Sequence, residues 1–120
     1  MAEAGLSGSA PHLWLVAQGR GKPVGFAYAE PERMTAGTFN LLAIAVHPSL
    51  QGGGIGKKLV RAVEDRLRGQ GGRVLLVETS SLDDYAGTRA FYLGLSFSLE
   101  AQIRDFYAPG ENKIVFLKHL

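Results

Sequence analysis

The sequence contains no cysteine, which excludes disulfide bonds, thiolate metal sites and a cysteine nucleophile within these 120 residues. Its three histidines, His12, His47 and His119, lie far apart, and none has a partner at the spacing of a metal site. No apolar run approaches the ~20 residues of a membrane-spanning helix, and the first residues lack the regions of a signal peptide. These absences predict a cytoplasmic protein that needs no metal and contacts no membrane.

A large excess of one charge is also missing. The chain has 13 basic and 11 acidic residues, a net charge of +2, which is too small to predict nucleic-acid binding. One candidate helix carries a basic run that is balanced by Glu64 and Asp65, so a solvated helix face is the simpler interpretation. The small residues at 1–11 predict a flexible tail, and the length of the remainder, 12–120, suits one domain with its own core.

Apolar periodicity and turn residues predict six strands and two helices. We expect strands at 12–18, 24–30, 38–47, 73–79, 97–107 and 113–119. The first helix begins near Ile55 and stops at Gly69–Gly72, and the second is capped by Ser81 or Asp83 and runs to about Leu93. The order β-β-β-α-β-α-β-β predicts an α/β fold with a mixed central sheet and flanking helices, in which the strands around the first helix are parallel. An exposed first strand would favour a homodimer.

A glycine-dense segment joins the third strand to the first helix. Glycines let a backbone approach a ligand closely, and the amides in the first turn of a helix attract anions, so the segment predicts a phosphate site. A nucleotide P-loop needs Ser or Thr after Gly-Lys, but Lys58 follows Lys57 here. A dinucleotide fold needs its third glycine at another spacing. Both nucleotide interpretations are therefore disfavoured.

The pattern Gln51-Gly-Gly-Gly-Ile-Gly56 fits Gln/Arg-x-x-Gly-x-Gly/Ala. It resembles the acyl-CoA pyrophosphate loop of the GCN5-related N-acetyltransferase (GNAT) family. The strand before the loop, the segment Thr88-Arg-Ala-Phe-Tyr92 followed by Ser96-Phe97, and the two closing strands resemble the same family in the same order. The resemblance covers residues 12–120.

The resemblance implies an N-acetyltransferase that transfers the acetyl group of acetyl-CoA to a primary amine by direct attack. Tyr92 occupies the position of the family's tyrosine and would protonate the leaving thiolate, and Glu78 would act as the general base. Acetyl-CoA would be bound at the pantetheine by the strand backbone and at the pyrophosphate by the loop, through Ala45, Val46, Gln51, Gly52, Gly53, Gly54, Ile55, Gly56 and Lys57. The amine acceptor stays unidentified, and no metal is required.

The residues themselves leave simpler alternatives open. Tyr92 could be a packed aromatic of the helix, and Glu78 could form a structural ion pair, for instance with Arg104. Ala45 and Val46 could be plain core strand.

Two departures from the family pattern matter. The family normally places one strand and two helices before its second strand, whereas eleven residues precede His12. We therefore expect an acceptor side that is open or completed by another chain, which keeps a non-catalytic acyl-CoA-binding module or sensor subunit as an alternative function. Ser96 stands where the family has glycine, and a positive φ there would cost about 1 kcal/mol.

Overall fold

The computed structural model describes residues 12–120, so the tail expected at 1–11 lies outside the described residues. Within this range six strands form one sheet in the order β1-β2-β3-β4-β6-β5. The helices are α1 (Ile55–Gly69) and α2 (Ala86–Gly94). The strands are β1 (Leu13–Gly19), β2 (Lys22–Pro31), β3 (Thr38–Val46), β4 (Val74–Ser80), β5 (Ser98–Ala108) and β6 (Glu111–His119). The predicted fold class and the predicted order of elements are confirmed.

One pair of strands is parallel, as the crossover through α1 predicts. β3 and β4 pair over only three residues each, Thr38–Asn40 with Val74–Leu76, and the other neighbouring strands are antiparallel. Beyond these pairs β3 continues to Val46 and β4 to Ser80 without further pairing to each other. The sheet is thus split at the carboxyl ends of the two strands, and we call this opening the strand gap.

The core lies between the sheet and the buried stripe of α1. Leu59, Val60, Val63 and Leu67 are buried on that stripe, and each apolar side chain of this kind contributes at most about 1.5–3 kcal/mol. Gly25 in β2 allows α1 to pack this closely. A Cβ at this position would lie 2.8 Å from the Ala45 carbonyl oxygen and 3.3 Å from Leu59 Cδ1.

The buried stripe of α1 also carries a charge, so the expectation of a solvated Glu64 is wrong. Glu64 follows Val60 by one turn and therefore faces the core, with a side chain only 3% exposed. Its Oε2 lies 3.0 Å from Lys118 Nζ, which also donates a hydrogen bond to the Leu95 carbonyl at 2.9 Å. Asp65, the next residue, does face solvent, with a side chain 78% exposed.

Helix α2 begins differently from the prediction. A 3-10 turn at Asp83–Tyr85 precedes it, and its first residue has no side-chain cap. The Ser81 hydroxyl instead accepts a hydrogen bond from the Asn112 amide at 2.8 Å. Ser81 and Asp83 therefore do not cap the helix, because Asp83 begins the 3-10 turn, Ser81 precedes it, and the helix follows only at Ala86.

The end of α2 follows the expectation for Ser96. Its φ is +73°, in the left-handed region. The Ser96 amide donates to the Leu93 carbonyl and the Phe97 amide to the Tyr92 carbonyl, both at 3.1 Å, which is the hydrogen-bond pattern of a Schellman motif. The Tyr92 and Phe97 rings meet edge-on at 5.4 Å, the apolar contact that accompanies this motif.

Candidate active site

The strand gap exposes backbone groups of β3. The His47 amide donates to the Val24 carbonyl at 2.8 Å, and Phe26 pairs with Ala45. Because successive residues of a strand turn their backbone groups to opposite sides, Val46 points its amide and carbonyl into the gap, whereas Ala45 uses its own in the pairing with β2. The Gln51 side chain donates to the Val46 carbonyl at 3.3 Å.

The glycine loop follows β3 through a 3-10 turn at Pro48–Leu50. Gly52 and Gly54 have φ values of +86° and +87°, and a Cβ on either would meet open space. Gly54 precedes the first residue of α1 and has no side chain to cap it. The first amides of a helix lack intrahelical partners, so the amides at 55–57 are suited to an anionic ligand.

A cavity of about 590 Å³ connects the gap with the glycine loop. We call it the loop cavity. Six of the nine predicted cofactor-binding residues line it: Ala45, Val46, Gln51, Gly52, Gly54 and Gly56. Gly53, Ile55 and Lys57 are not among its lining residues. Ile55 lies against the sheet instead, since its Cγ2 would be 3.5 Å from a Cβ on Gly25.

Phe91 lines the loop cavity although the sequence analysis assigned it no site role. Its ring covers the first turn of α1, where a Cβ on Gly56 would lie 3.4 Å from Phe91 Cζ. The signal was present in the sequence, because Phe91 belongs to the same motif as Tyr92. Glycine at position 56 and an aromatic at 91 therefore shape one wall together.

Tyr92 lies in the core directly behind Phe91. It is 3% exposed, its ring meets the Phe91 ring edge-on at 5.0 Å, and it does not line the loop cavity. Burial raises the pKa of its hydroxyl to about 12. Tyr92 is therefore fully protonated at neutral pH and able to donate a hydrogen bond.

Glu78 lies on β4 beside a second cavity of about 300 Å³. Its Oε1 is 3.1 Å from Lys113 Nζ, so the ion partner is Lys113 and not Arg104. The cavity is lined by Glu78, Thr79, Ser80, Tyr85, Tyr107 and Glu111, and we call it the carboxylate cavity. Because β3 and β4 run parallel, it lies at the same end of the sheet as Val46.

Arg89 is a second residue whose role was not predicted from the sequence. Its Nη1 donates to the Ser80 carbonyl at 2.6 Å and to the Leu82 carbonyl at 2.9 Å. These bonds join α2 to the last residue of β4 and to the turn that follows it, a few residues after Glu78. Arg89 therefore fixes the position of one wall of the carboxylate cavity.

Within residues 12–120 no helix is long and apolar enough to cross a membrane. No group of three or more His, Asp or Glu side chains in the same range is arranged to hold a metal ion.

Comparisons with known proteins identify the family. A model of the acetyltransferase (GNAT) family matches residues 2–97. The crystal structure of a GNAT-family protein from Desulfovibrio desulfuricans is 37% identical, with a TM-score of 0.88 over 90% of this chain and 69% of that chain. Curated protein sequences gave no match.

Two more distant structures share the fold. The ribosomal-protein-S18-alanine N-acetyltransferase from Escherichia coli is 24% identical, with a TM-score of 0.77 over 99% of this chain and 76% of that chain. An aminoglycoside 6'-N-acetyltransferase complexed with coenzyme A is 18% identical, with a TM-score of 0.82 over 98% of this chain and 77% of that chain. Together with the family model and the 37% identical relative, the fold leads to one conclusion. The chain belongs to the GNAT acetyltransferase family and is an acetyl-CoA-dependent acyltransferase.

Proposed function

We propose that the protein transfers the acetyl group of acetyl-CoA to a primary amine by direct attack of the amine nitrogen on the thioester carbon. The C–N bond forms, the C–S bond breaks, the nitrogen loses a proton to a base, and CoA leaves as a thiolate that takes its proton from solvent. The observation that carries the proposal is the continuity of the strand gap with the glycine loop in one cavity. A single extended ligand can therefore reach both.

The cofactor residues keep their proposed roles with one refinement. The loop from Gln51 and the amides at 55–57 bind the pyrophosphate, and the helix dipole adds a few tenths to about 1 kcal/mol. The peptide-like pantetheine pairs with the backbone of Val46, as a short strand would, while Ala45 supplies lining only. Lys57 is exposed and free to approach an outlying phosphate. Lys58 lines a separate groove beside β1.

Tyr92 acts in this proposal as a hydrogen-bond donor to the departing sulfur. A CoA thiol has a pKa near 8.5, so full proton transfer from a hydroxyl with a pKa of about 12 is uphill by about 5 kcal/mol. Stabilisation of the thiolate by a hydrogen bond avoids that cost. Tyr92 is buried and does not line the loop cavity, so this role requires a movement that brings its hydroxyl to the sulfur.

Glu78 is the proposed acceptor of the amine proton. To take it, Glu78 must weaken its ion pair with Lys113. An α-amine with a pKa near 8 needs about 1.4 kcal/mol to be neutral at pH 7, compared with about 4.6 kcal/mol for a lysine-like amine. An α-amine therefore depends less on a dedicated base than a lysine-like amine does.

A charge in the glycine loop tests the cofactor site. Gly54→Asp places a carboxylate at the proposed pyrophosphate position and should weaken acetyl-CoA binding at least about tenfold by calorimetry. Gly71→Asp is the matched control, because Gly71 has φ +82° and open space around its Cβ but lies outside the site. Equal binding by the two variants would reject the assignment.

The role of Tyr92 has its own test. Tyr92→Phe should lower kcat roughly 10²- to 10⁴-fold with little change in acetyl-CoA affinity. Wild-type turnover in this variant would remove Tyr92 from the mechanism. The assay is CoA release in the presence of pooled amines, and cofactor binding without release for any amine would favour the non-catalytic module instead. The homodimer and the cytoplasmic location stay predictions, and light scattering tests the first.

A further inference from the structure

The carboxylate cavity has a composition that suits a cationic ligand group. Its walls come from the end of β4, the 3-10 turn before α2 and the β5–β6 hairpin. They combine the carboxylates of Glu78 and Glu111 with the rings of Tyr85 and Tyr107. Carboxylates attract an ammonium by charge, and aromatic faces attract it through the ring quadrupole.

The two carboxylates have different partners. Glu78 is paired with Lys113, whose Nζ also lies 4.1 Å from the centre of the Phe106 ring. Within the contacts of residues 12–120, the partner of the Glu111 carboxylate is the neutral Ser80 hydroxyl, which donates to Oε2 at 2.7 Å. The cavity therefore retains one uncompensated negative charge. Arg89, a cation that also contacts Ser80, is bonded to the backbone carbonyls of Ser80 and Leu82.

The direction in which the pKa of Tyr107 is shifted agrees with this charge distribution. Burial raises the pKa of its hydroxyl, Lys113 opposes the shift, and the Glu78 and Glu111 carboxylates add to it. The same charged groups therefore lie close to Tyr107, which lines the cavity. Its volume, about 300 Å³, is enough for a small ligand group.

We propose that the carboxylate cavity binds a second, non-reacting ammonium group of the acceptor, which makes the acceptor a diamine or polyamine. This inference rests on the proposed function, since it assigns the acceptor of that reaction. Glu111, whose partner is a neutral hydroxyl, stabilises the charged form of an amine, and it is not the residue proposed to accept the proton of the reacting nitrogen, which must be neutral. The cavity is therefore suited to a nitrogen that stays protonated, while another nitrogen of the same molecule reaches the strand gap at the same end of the sheet.

Diamines and monoamines with the same number of carbons test whether the carboxylate cavity binds a second ammonium group. We would measure by calorimetry, with CoA bound, the affinity of α,ω-diaminoalkanes and of n-alkylamines with the same number of carbons. Wild-type protein should bind the best diamine about 10- to 100-fold more tightly than its monoamine. Glu111→Gln should abolish this preference, and it keeps an oxygen to accept the Ser80 bond. Glu100→Gln, on an exposed part of β5 about 20 Å along the strand from Tyr107, should retain it.

The outcomes separate this inference from the proposed function. Equal affinity for diamine and monoamine in the wild type, or an unchanged preference in Glu111→Gln, would overturn the inference. A diamine preference in binding without CoA release would instead overturn the proposed function and leave the cavity assigned. If Glu111→Gln does not fold, equal affinity of the wild-type protein for diamine and monoamine still overturns the inference. The preference should fall several-fold between 0.05 and 0.5 M salt, and a salt-independent preference would contradict a charge-based site.

Discussion

Removal of the cation from the buried ion pair of α1 should destabilise the fold strongly. Lys118→Met retains the length of the side chain but leaves the Glu64 carboxylate, 3% exposed, without its nearest counter-charge. At a separation of 3.0 Å and an effective dielectric constant of about 20, the Coulomb energy of the pair is about 5.5 kcal/mol. Desolvation of both ions offsets part of it, so the loss of one partner typically costs about 3–5 kcal/mol.

Because Arg68 is a second cation near Glu64, we expect a loss of stability at the lower end of this range. The Arg68 Nη2 lies 3.9 Å from Glu64 Oε1, and its side chain is 45% exposed, so it compensates the carboxylate only partly. We expect a loss of about 3 kcal/mol in the free energy of unfolding. With an unfolding entropy of about 2.1 cal/mol/K per residue, this corresponds to a fall in Tm of about 12 °C.

Urea unfolding of a double-mutant cycle measures the effect. Glu64→Leu combined with Lys118→Met should recover most of the loss, because apolar replacement of both partners removes the buried charge. Asp65→Asn is the control, since Asp65 makes an exposed ion pair with Arg68 at 2.9 Å and should change stability by less than about 0.5 kcal/mol. A Lys118→Met loss as small as that of the control would refute the reasoning.

Two further predictions concern α2. Ser96→Gly should raise the free energy of unfolding by about 1 kcal/mol and Tm by about 4 °C, because glycine adopts a φ of +73° without strain. Ser96→Ala should give no gain. A destabilised glycine variant would contradict the Schellman motif at the end of α2. The Tyr92 pKa of about 12 lies above its unfolded value near 10, so the stability due to its burial is complete below pH 10 and is lost as pH rises to 12. This loss is at most about 2.7 kcal/mol and should be absent in Tyr92→Phe, so parallel pH–stability curves for the two proteins would refute it.

Local patterns in the sequence predicted the elements and the glycine loop. The periodicity of Leu59, Val63 and Leu67 defines α1, and the spacing of the glycines determines the form of the loop. Both patterns depend only on residues that are close together in the sequence. The positive φ of Ser96 was predictable in the same way, since the helix ends there.

Long-range pairings were not predictable, because they depend on which elements the sheet brings together. Glu64 has a suitable periodicity for burial, but its partner Lys118 lies 54 residues away. The Ser80–Glu111 bond spans 31 residues, and the carboxylate cavity exists only where β4 meets the β5–β6 hairpin. The sequence left the burial of Tyr92 open for the same reason, because one of the rings packed against it, Phe116, belongs to a distant strand.

The short pairing between β3 and β4 divides the sheet into two halves. Two three-stranded units, β1-β2-β3 and β4-β6-β5, are joined within the sheet by three residue pairs, and α1 links them through the chain and through the Glu64–Lys118 ion pair. In the proposed function the pantetheine arm pairs with Val46, takes the place of the absent strand pairing and becomes part of the sheet. At a ligand concentration 100 times Kd this linkage adds about 2.7 kcal/mol to stability. Loading with the cofactor should therefore slow amide hydrogen exchange most strongly along the edges that face the strand gap.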